Sequence, residues 1–244
     1  MTLNADTTVR ELTLEMPQAT RVFERLKIDY CCGGARPLSA ACADAGLDVE
    51  TVLRQLAETQ ACMPQDAQND LQSSSLTELL GHILTRHHVY TKTEMARLTT
   101  LSAKVLAAHG ERHPELLQVN ALWQRLCADL QPHMFKEEIV LFPYIEGLEQ
   151  AVQTGGTCAR PPFGTVGNPV RIMRYEHDTA GALLRDLRAV TRDYCVPADA
   201  CLSFKTLYEA FEAFEQDLHQ HIHLENNLLF PRALALEERA LAGR

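Results

Sequence analysis

The chain lacks several features that would point it elsewhere. Met1 to Arg10 has no basic stretch leading into an apolar one, so no secretory signal is expected. No apolar run approaches the roughly 20 residues that cross a bilayer. No segment carries the pattern of a strand. Positive charge is also scarce, with 23 Lys and Arg against 32 Asp and Glu and a net charge of -9. That balance argues against a nucleic-acid partner and against an anionic membrane. A cytoplasmic, all-α protein is expected. Its 244 residues suffice for one sizeable core and a small extra domain.

Cysteine is present in number, 8 in all. In a chain without a secretion signal these read as thiols rather than disulfides. Cys42, Cys62, Cys127, Cys158, Cys195 and Cys201 fall among helical patterns and read as small buried hydrophobes. Cys31 and Cys32 differ: they are adjacent, and two glycines follow them.

Gly and Pro punctuate a series of helical patterns. Thr7 to Glu15 and Pro17 to Lys27 give two short helices, then Tyr30 to Gly34 breaks the pattern. Leu38 to Ala45 is closed by Gly46, and Asp48 caps a further helix to about Thr59. Residues 1–60 thus form a small helical domain. The polar stretch 61–74 reads as a linker, and 75–244 as a second, larger domain.

Four long helices are expected in that second domain. Ser75-Leu-Thr-Glu78 is a capping box for the first, which runs to about His109. The second spans about Pro114 to Val152. A Gly- and Pro-rich loop, 155–168, precedes the third, with Asn168 as N-cap and Pro169 in the first turn, ending near Tyr194. The fourth covers about Asp199 to Arg239. One apolar stripe on each makes an antiparallel four-helix bundle the natural solution.

Polar residues interrupt those stripes at mid-helix. His133-Met-Phe-Lys-Glu137 continues into Glu-Ile-Val-Leu-Phe-Pro, and His221-Ile-His-Leu-Glu225 into Asn-Asn-Leu-Leu-Phe-Pro. His and Glu four apart on a helix point the same way. One such pair means little. With 32 acidic residues in 244, chance supplies it about one time in eight. Two pairs on apolar faces with like tails are a different matter. His177 is the one His of the third helix and lies on its stripe. On the first helix the stripe favours His88, with His87 as the alternative and His82 as a neighbour. His219, His223, His109 and His113 read as solvated surface residues. Asp129, one turn before His133, and Glu176, beside His177, are candidates to orient an imidazole. Four imidazoles and two carboxylates suit a non-haem di-iron centre, oxo- or hydroxo-bridged, with positions open to a small ligand.

Cys31 and Cys32 could hold or relay iron, accept nitric oxide, or exchange electrons. A helix starting soon after them would lower their pKa values.

Asp-Tyr-Cys-Cys-Gly-Gly at 29–34, the two His-x-x-x-Glu tails and Glu176-His177-Asp178 together resemble the di-iron "repair of iron centres" family. The resemblance covers nearly the whole chain. It implies a haemerythrin-like bundle with His88, His133, His177 and His221 as terminal ligands. Glu137 and Glu225 would be bridges, and Cys31 and Cys32 the family's cysteine pair. It also implies a stress-response protein that restores iron–sulfur clusters damaged by nitric oxide or peroxide, by giving up labile iron. Its partners would be apo or damaged iron–sulfur proteins or a scaffold, with nitric oxide or O2 as small ligands. Two alternatives follow from the same centre: an enzyme that binds or reduces nitric oxide, and an O2 or nitric oxide sensor. Pro132, directly before His133, is expected to kink the second helix.

Overall fold

The computed structural model describes residues 3–61, 70–156 and 161–242. Among these, the only β-pairing is an isolated bridge between Thr8 and Pro37. No helix among the described residues is long and apolar enough to cross a membrane.

Local sequence sets an end of each short helix. Thr8 and Glu11 close a capping box ahead of α1 (Val9–Glu15). α2 (Ala19–Leu26) ends at Lys27, which is left-handed at φ 57°. α3 (Leu38–Asp44) is followed by Gly46 at φ +67°. Asp48 accepts the Thr51 N–H at 3.0 Å and caps α4 (Val49–Ala61). Val9, Leu12, Phe23, Tyr30, Leu38 and Leu56 fill a core between these helices. Within the expected linker, 62–69 lie outside the described residues, and so does Cys62. The rest of it includes a helical turn, α5 (Asp70–Ser73), and Gln72 donates to the Leu14 carbonyl of α1.

Four long helices follow: α6 (76–109), α7 (115–154), α8 (167–190) and α9 (202–242). Three of them change register midway. Ile83–His88, Glu137–Leu141 and Leu224–Leu229 are π-helical. Each π-segment contains an expected metal ligand, as π-bulges often do at functional sites. α7 continues through Pro132 to Lys136 and then turns π-helical at Glu137.

α8 differs from the sequence expectation at both ends. It starts at Gly167, because Glu237 of α9 accepts the Val166 N–H at 2.9 and 3.1 Å. Asn168, expected as the N-cap, instead donates to the Phe163 carbonyl. The helix stops at Val190, since Arg192, Asp193 and Tyr194 are all left-handed. In the loop before it, 157–160 and hence Cys158 lie outside the described residues. Cys42 is buried as expected and Cys127 is half-buried, but Cys195 and Cys201 are exposed at the far end of α8 and the start of α9.

The bundle's apolar interior has two parts. Trp123, Leu126, Leu130, Phe211, Phe214 and Leu218 belong to one. Leu80, Leu141, Phe142, Val170, Leu228 and Phe230 belong to the other. Along α7 and α9 the His and Glu residues fall between these two layers. Cys31 packs with the first layer, whereas its neighbour Tyr30 packs in the small N-terminal core.

Candidate metal centre

His88, His133, His177, His221, Glu137 and Glu225 converge from all four long helices and are buried. They form two sets that share both carboxylates. His88 and His221 face one another with Nε2 atoms 3.1 Å apart, and so do His133 and His177. Glu137 points Oε2 at His88, 3.5 Å away, and Oε1 at His133, 3.3 Å away. Glu225 points Oε1 at His221 and Oε2 at His177, both at 3.1 Å. Each carboxylate therefore spans the two imidazole pairs.

Three of these groups carry unsatisfied atoms. Both Glu137 oxygens, Oε2 of Glu225 and Nδ1 of His221 are buried without a hydrogen-bond partner among the described residues. An isolated buried carboxylate costs several kcal/mol, so such an arrangement is kept for a cation to complete. Facing imidazole nitrogens are likewise two acceptors or two donors in conflict unless a proton or a metal lies between them. With metal–ligand distances of about 2.1 Å, donors at right angles around one ion stand about 3.0 Å apart. The donor separations fit that arrangement.

Outer partners hold three of the imidazoles by Nδ1. His88 meets Glu138 at 2.7 Å, His133 meets Glu176 at 2.8 Å and His177 meets Asn226 at 3.0 Å. Such contacts fix the tautomer and leave Nε2 for a metal. Burial disfavours charge on His133, but Glu137 and Glu176 outweigh it and hold the pKa up at about 10. The hydrogen bond from His133 pulls Glu176 down to about 2, helped by Lys136. For Glu225, burial opposes ionisation, yet His221 and His177 keep it well below the usual carboxylate range.

Of the two expected orienting carboxylates, Glu176 reaches an imidazole. Asp129 does not: it is exposed and has no hydrogen bond to His133 among the described residues. Leu126, Leu130 and His133 carry the buried stripe, and Asp129 lies off it. Glu138 and Asn226 went unread in the sequence. Each directly follows a shared carboxylate, Glu137 or Glu225, so the repeated tails held the signal. His87 lies outside both converging sets and pairs with Asp217 at 3.1 Å.

Several histidines expected at the surface are covered. His223 is buried against Tyr30, and burial pushes its pKa down to about 4. His219 meets Glu24 of α2 at 2.9 Å. His109 is buried beside Cys201, with Nε2 and Sγ 3.1 Å apart. The small N-terminal region packs over the face of α9 that carries His219 and His223, which no periodicity within α9 reveals.

That packing brings Cys31 close to the centre. Asn226 accepts from His177 and donates to the Cys31 carbonyl at 3.2 Å. Asn227 donates to the Tyr30 carbonyl at 3.0 Å. A Cβ on Gly34 would meet Asn227 Oδ1 at 2.9 Å, so glycine allows this approach. The condition for lowering the Cys31 thiol is not met. The next helix begins only at Leu38, and contact with Cys32 together with burial pushes Cys31 well above the usual thiol range.

A four-helix bundle with paired imidazoles and shared carboxylates at mid-height defines a cation-binding protein of the haemerythrin class. Residues 79–233 match the model of the Hemerythrin HHE cation binding domain. Residues 5–60 match that of a Domain of Unknown function (DUF542). The chain is 35% identical to a "Probable iron-sulfur cluster repair protein" of Haemophilus influenzae, over 92% of this chain and 95% of that one. It is 35% identical to the "Iron-sulfur cluster repair protein YtfE" of Escherichia coli O8, over 95% and 98%. For the protein of that name from Dickeya chrysanthemi the values are 34%, 94% and 97%. The chain belongs to the repair-of-iron-centres family, whose haemerythrin-like bundle follows this N-terminal region.

Proposed function

We propose that this chain repairs damaged iron–sulfur clusters by giving up iron from a di-iron centre in the bundle. His88, His221, His133 and His177 would be the terminal ligands, and Glu137 and Glu225 the bridges. The observation that carries this reading is the sharing of both carboxylates by two imidazole pairs, each with one oxygen per pair. When bound there, two irons supply labile metal and positions open to nitric oxide or O2.

The residues define what the protein does for that metal. Four neutral imidazoles against two carboxylates give a donor set poor in charge. The two carboxylates offset half of the charge of two divalent ions, which favours release over permanent capture. Glu138, Glu176 and Asn226 keep three of the four Nε2 atoms aimed inward, so loading requires little reorganisation. The names of the relatives support cluster repair as the destination of that iron. Free thiols at Cys31, Cys32, Cys195 and Cys201 suit a reducing compartment, the cytoplasm.

The test is transfer. Full-length protein loaded anaerobically with labelled iron is mixed with an apo iron–sulfur protein and sulfide. Cluster formation in the acceptor at the expense of bound label is expected. Label that stays on the bundle while the acceptor remains empty would sink the proposal.

A further inference from the structure

Asp29, Cys31 and Cys32 lie outside the bundle's ligand set, yet their donor atoms gather at one point. Cys31 Sγ is 3.7 Å from Cys32 Sγ and 3.4 Å from Asp29 Oδ1. A tetrahedral ion with metal–sulfur distances of about 2.3 Å holds two sulfurs about 3.8 Å apart. With a metal–oxygen distance of about 2.1 Å, it holds sulfur and oxygen about 3.6 Å apart. Both edges are therefore close to those of a tetrahedron before any ion enters.

The loop keeps this shape through its own backbone. The Cys32 N–H donates to Asp29 Oδ1 at 2.9 Å, and the Gly33 N–H supports the same carboxylate. A Cβ on Gly33 would approach the Asp29 carbonyl to 2.9 Å, so glycine permits the tight return. Cys31 is buried, Cys32 is half-buried and Asp29 is exposed. The cluster thus has a closed wall and an open face. A cavity of about 90 Å³ borders Asp29 and Cys31 between α2, α8 and α9.

We propose that Asp29, Cys31 and Cys32 form a second metal site, separate from the bundle centre, for one divalent cation that favours thiolates, such as Zn²⁺ or Fe²⁺. Two sulfurs select a softer ion than the nitrogen and oxygen donors of the bundle do. Both thiols release their protons to solvent as the ion enters, including the Cys31 S–H that now points to Asp29 Oδ1. Three protein donors leave one corner of the tetrahedron for water or for a thiolate of an acceptor protein. This assignment rests on the loop's own geometry and stands apart from the repair reading.

Co²⁺ is the probe. The full chain, held anaerobically with ferrous iron in the bundle, is titrated with Co²⁺ and followed in the near ultraviolet. Sulfur-to-cobalt charge transfer can arise only from thiolates, so occupancy of the bundle by either metal does not imitate it. A band saturating near one equivalent per chain is expected, absent in Cys31→Ser/Cys32→Ser. Cys32→Ser alone, which leaves the Cys32 N–H to Asp29 in place, should also weaken the band. Asp29→Asn should bind Co²⁺ at least about 10-fold more weakly. Bundle iron content and helical circular dichroism verify that each variant is folded. The proposal is overturned by the lack of a band, by its survival in the double variant, or by unchanged affinity in Asp29→Asn.

Discussion

Oδ1 of Asn226 stands 3.0 Å from Nδ1 of His177, and Nδ2 of the same amide reaches the Cys31 carbonyl at 3.2 Å. A carbonyl only accepts, so the amide must present Nδ2 to Cys31 and Oδ1 to the imidazole. Nδ1 of His177 is then the protonated nitrogen, and Nε2 faces the buried carboxylates. One side chain thus joins the cysteine segment of the N-terminal region to the tautomer of an imidazole in the bundle.

Asn226→Ala removes both contacts. Iron affinity at the centre should fall about 10- to 100-fold, measured by competition with a chelator. Asn226→Asp keeps an acceptor for His177 but loses the donor to Cys31. It should hold iron nearly as well while amide exchange rises at residues 30–34. Equal iron affinity in Asn226→Ala and the parent chain would contradict the role given to this amide.

Glu137→Gln bears on metal binding and on stability alike. The carboxylate is fully buried, 3.3 Å from the His133 imidazole whose charge it supports in the metal-free protein. The metal-free variant should be less stable than the metal-free parent by about 1–3 kcal/mol, because a buried imidazolium loses a partner, and iron should no longer raise its melting temperature. A metal-free variant as stable as the parent, or one that iron still stabilises, would contradict this role of Glu137.

Gly34→Ala tests the seam between the N-terminal region and α9. The added Cβ would lie 2.9 Å from Asn227 Oδ1 and 3.1 Å from the Tyr30 carbonyl. A loss of about 1–3 kcal/mol is expected by urea unfolding. Gly81→Ala, where a Cβ meets nothing within 4 Å among the described residues, is the control and should cost nothing.

Glu149 predicts an acid-side slope. Burial opposes its charge, but the Leu76 and Thr77 N–H groups, at 2.7 and 2.9 Å, pull its pKa below 4.5. A depressed carboxylate contributes stability that is present above its unfolded pKa and lost as pH falls through the folded one. Stability should therefore decline from about pH 4.5 downward, and Glu149→Gln should flatten that part of the curve. Urea unfolding between pH 6 and 3 makes the comparison. Parallel curves for the two proteins would count against this cap on α6.

The candidate ligand set was legible because it repeats. Two tails with His, Glu and Leu-Phe-Pro in the same order pointed to four of the six converging residues, and stripe position added His177 and favoured His88. Glu138 and Asn226 were hidden by the π-segments. Simple α-helical projection turns the residue after a ligand well away from it, whereas in the π-helical stretches both consecutive residues meet imidazoles of neighbouring helices. His219 and His223 were misread for another reason. Periodicity within α9 reports its own bundle face, and the cover over the other face comes from residues about 200 positions earlier, as the Gln220 to Thr20 contact illustrates. Asp129 shows the converse, since spacing of one turn did not suffice where the apolar stripe ran along a different line.

Iron stoichiometry of the full chain tests the reading of the site most directly. Protein purified and reconstituted without oxygen should carry about two irons per chain, falling to less than one in Glu225→Ala. Zinc in their place, or fewer than one iron per chain after anaerobic reconstitution of the parent, would contradict a di-iron centre and remove the source of iron for repair.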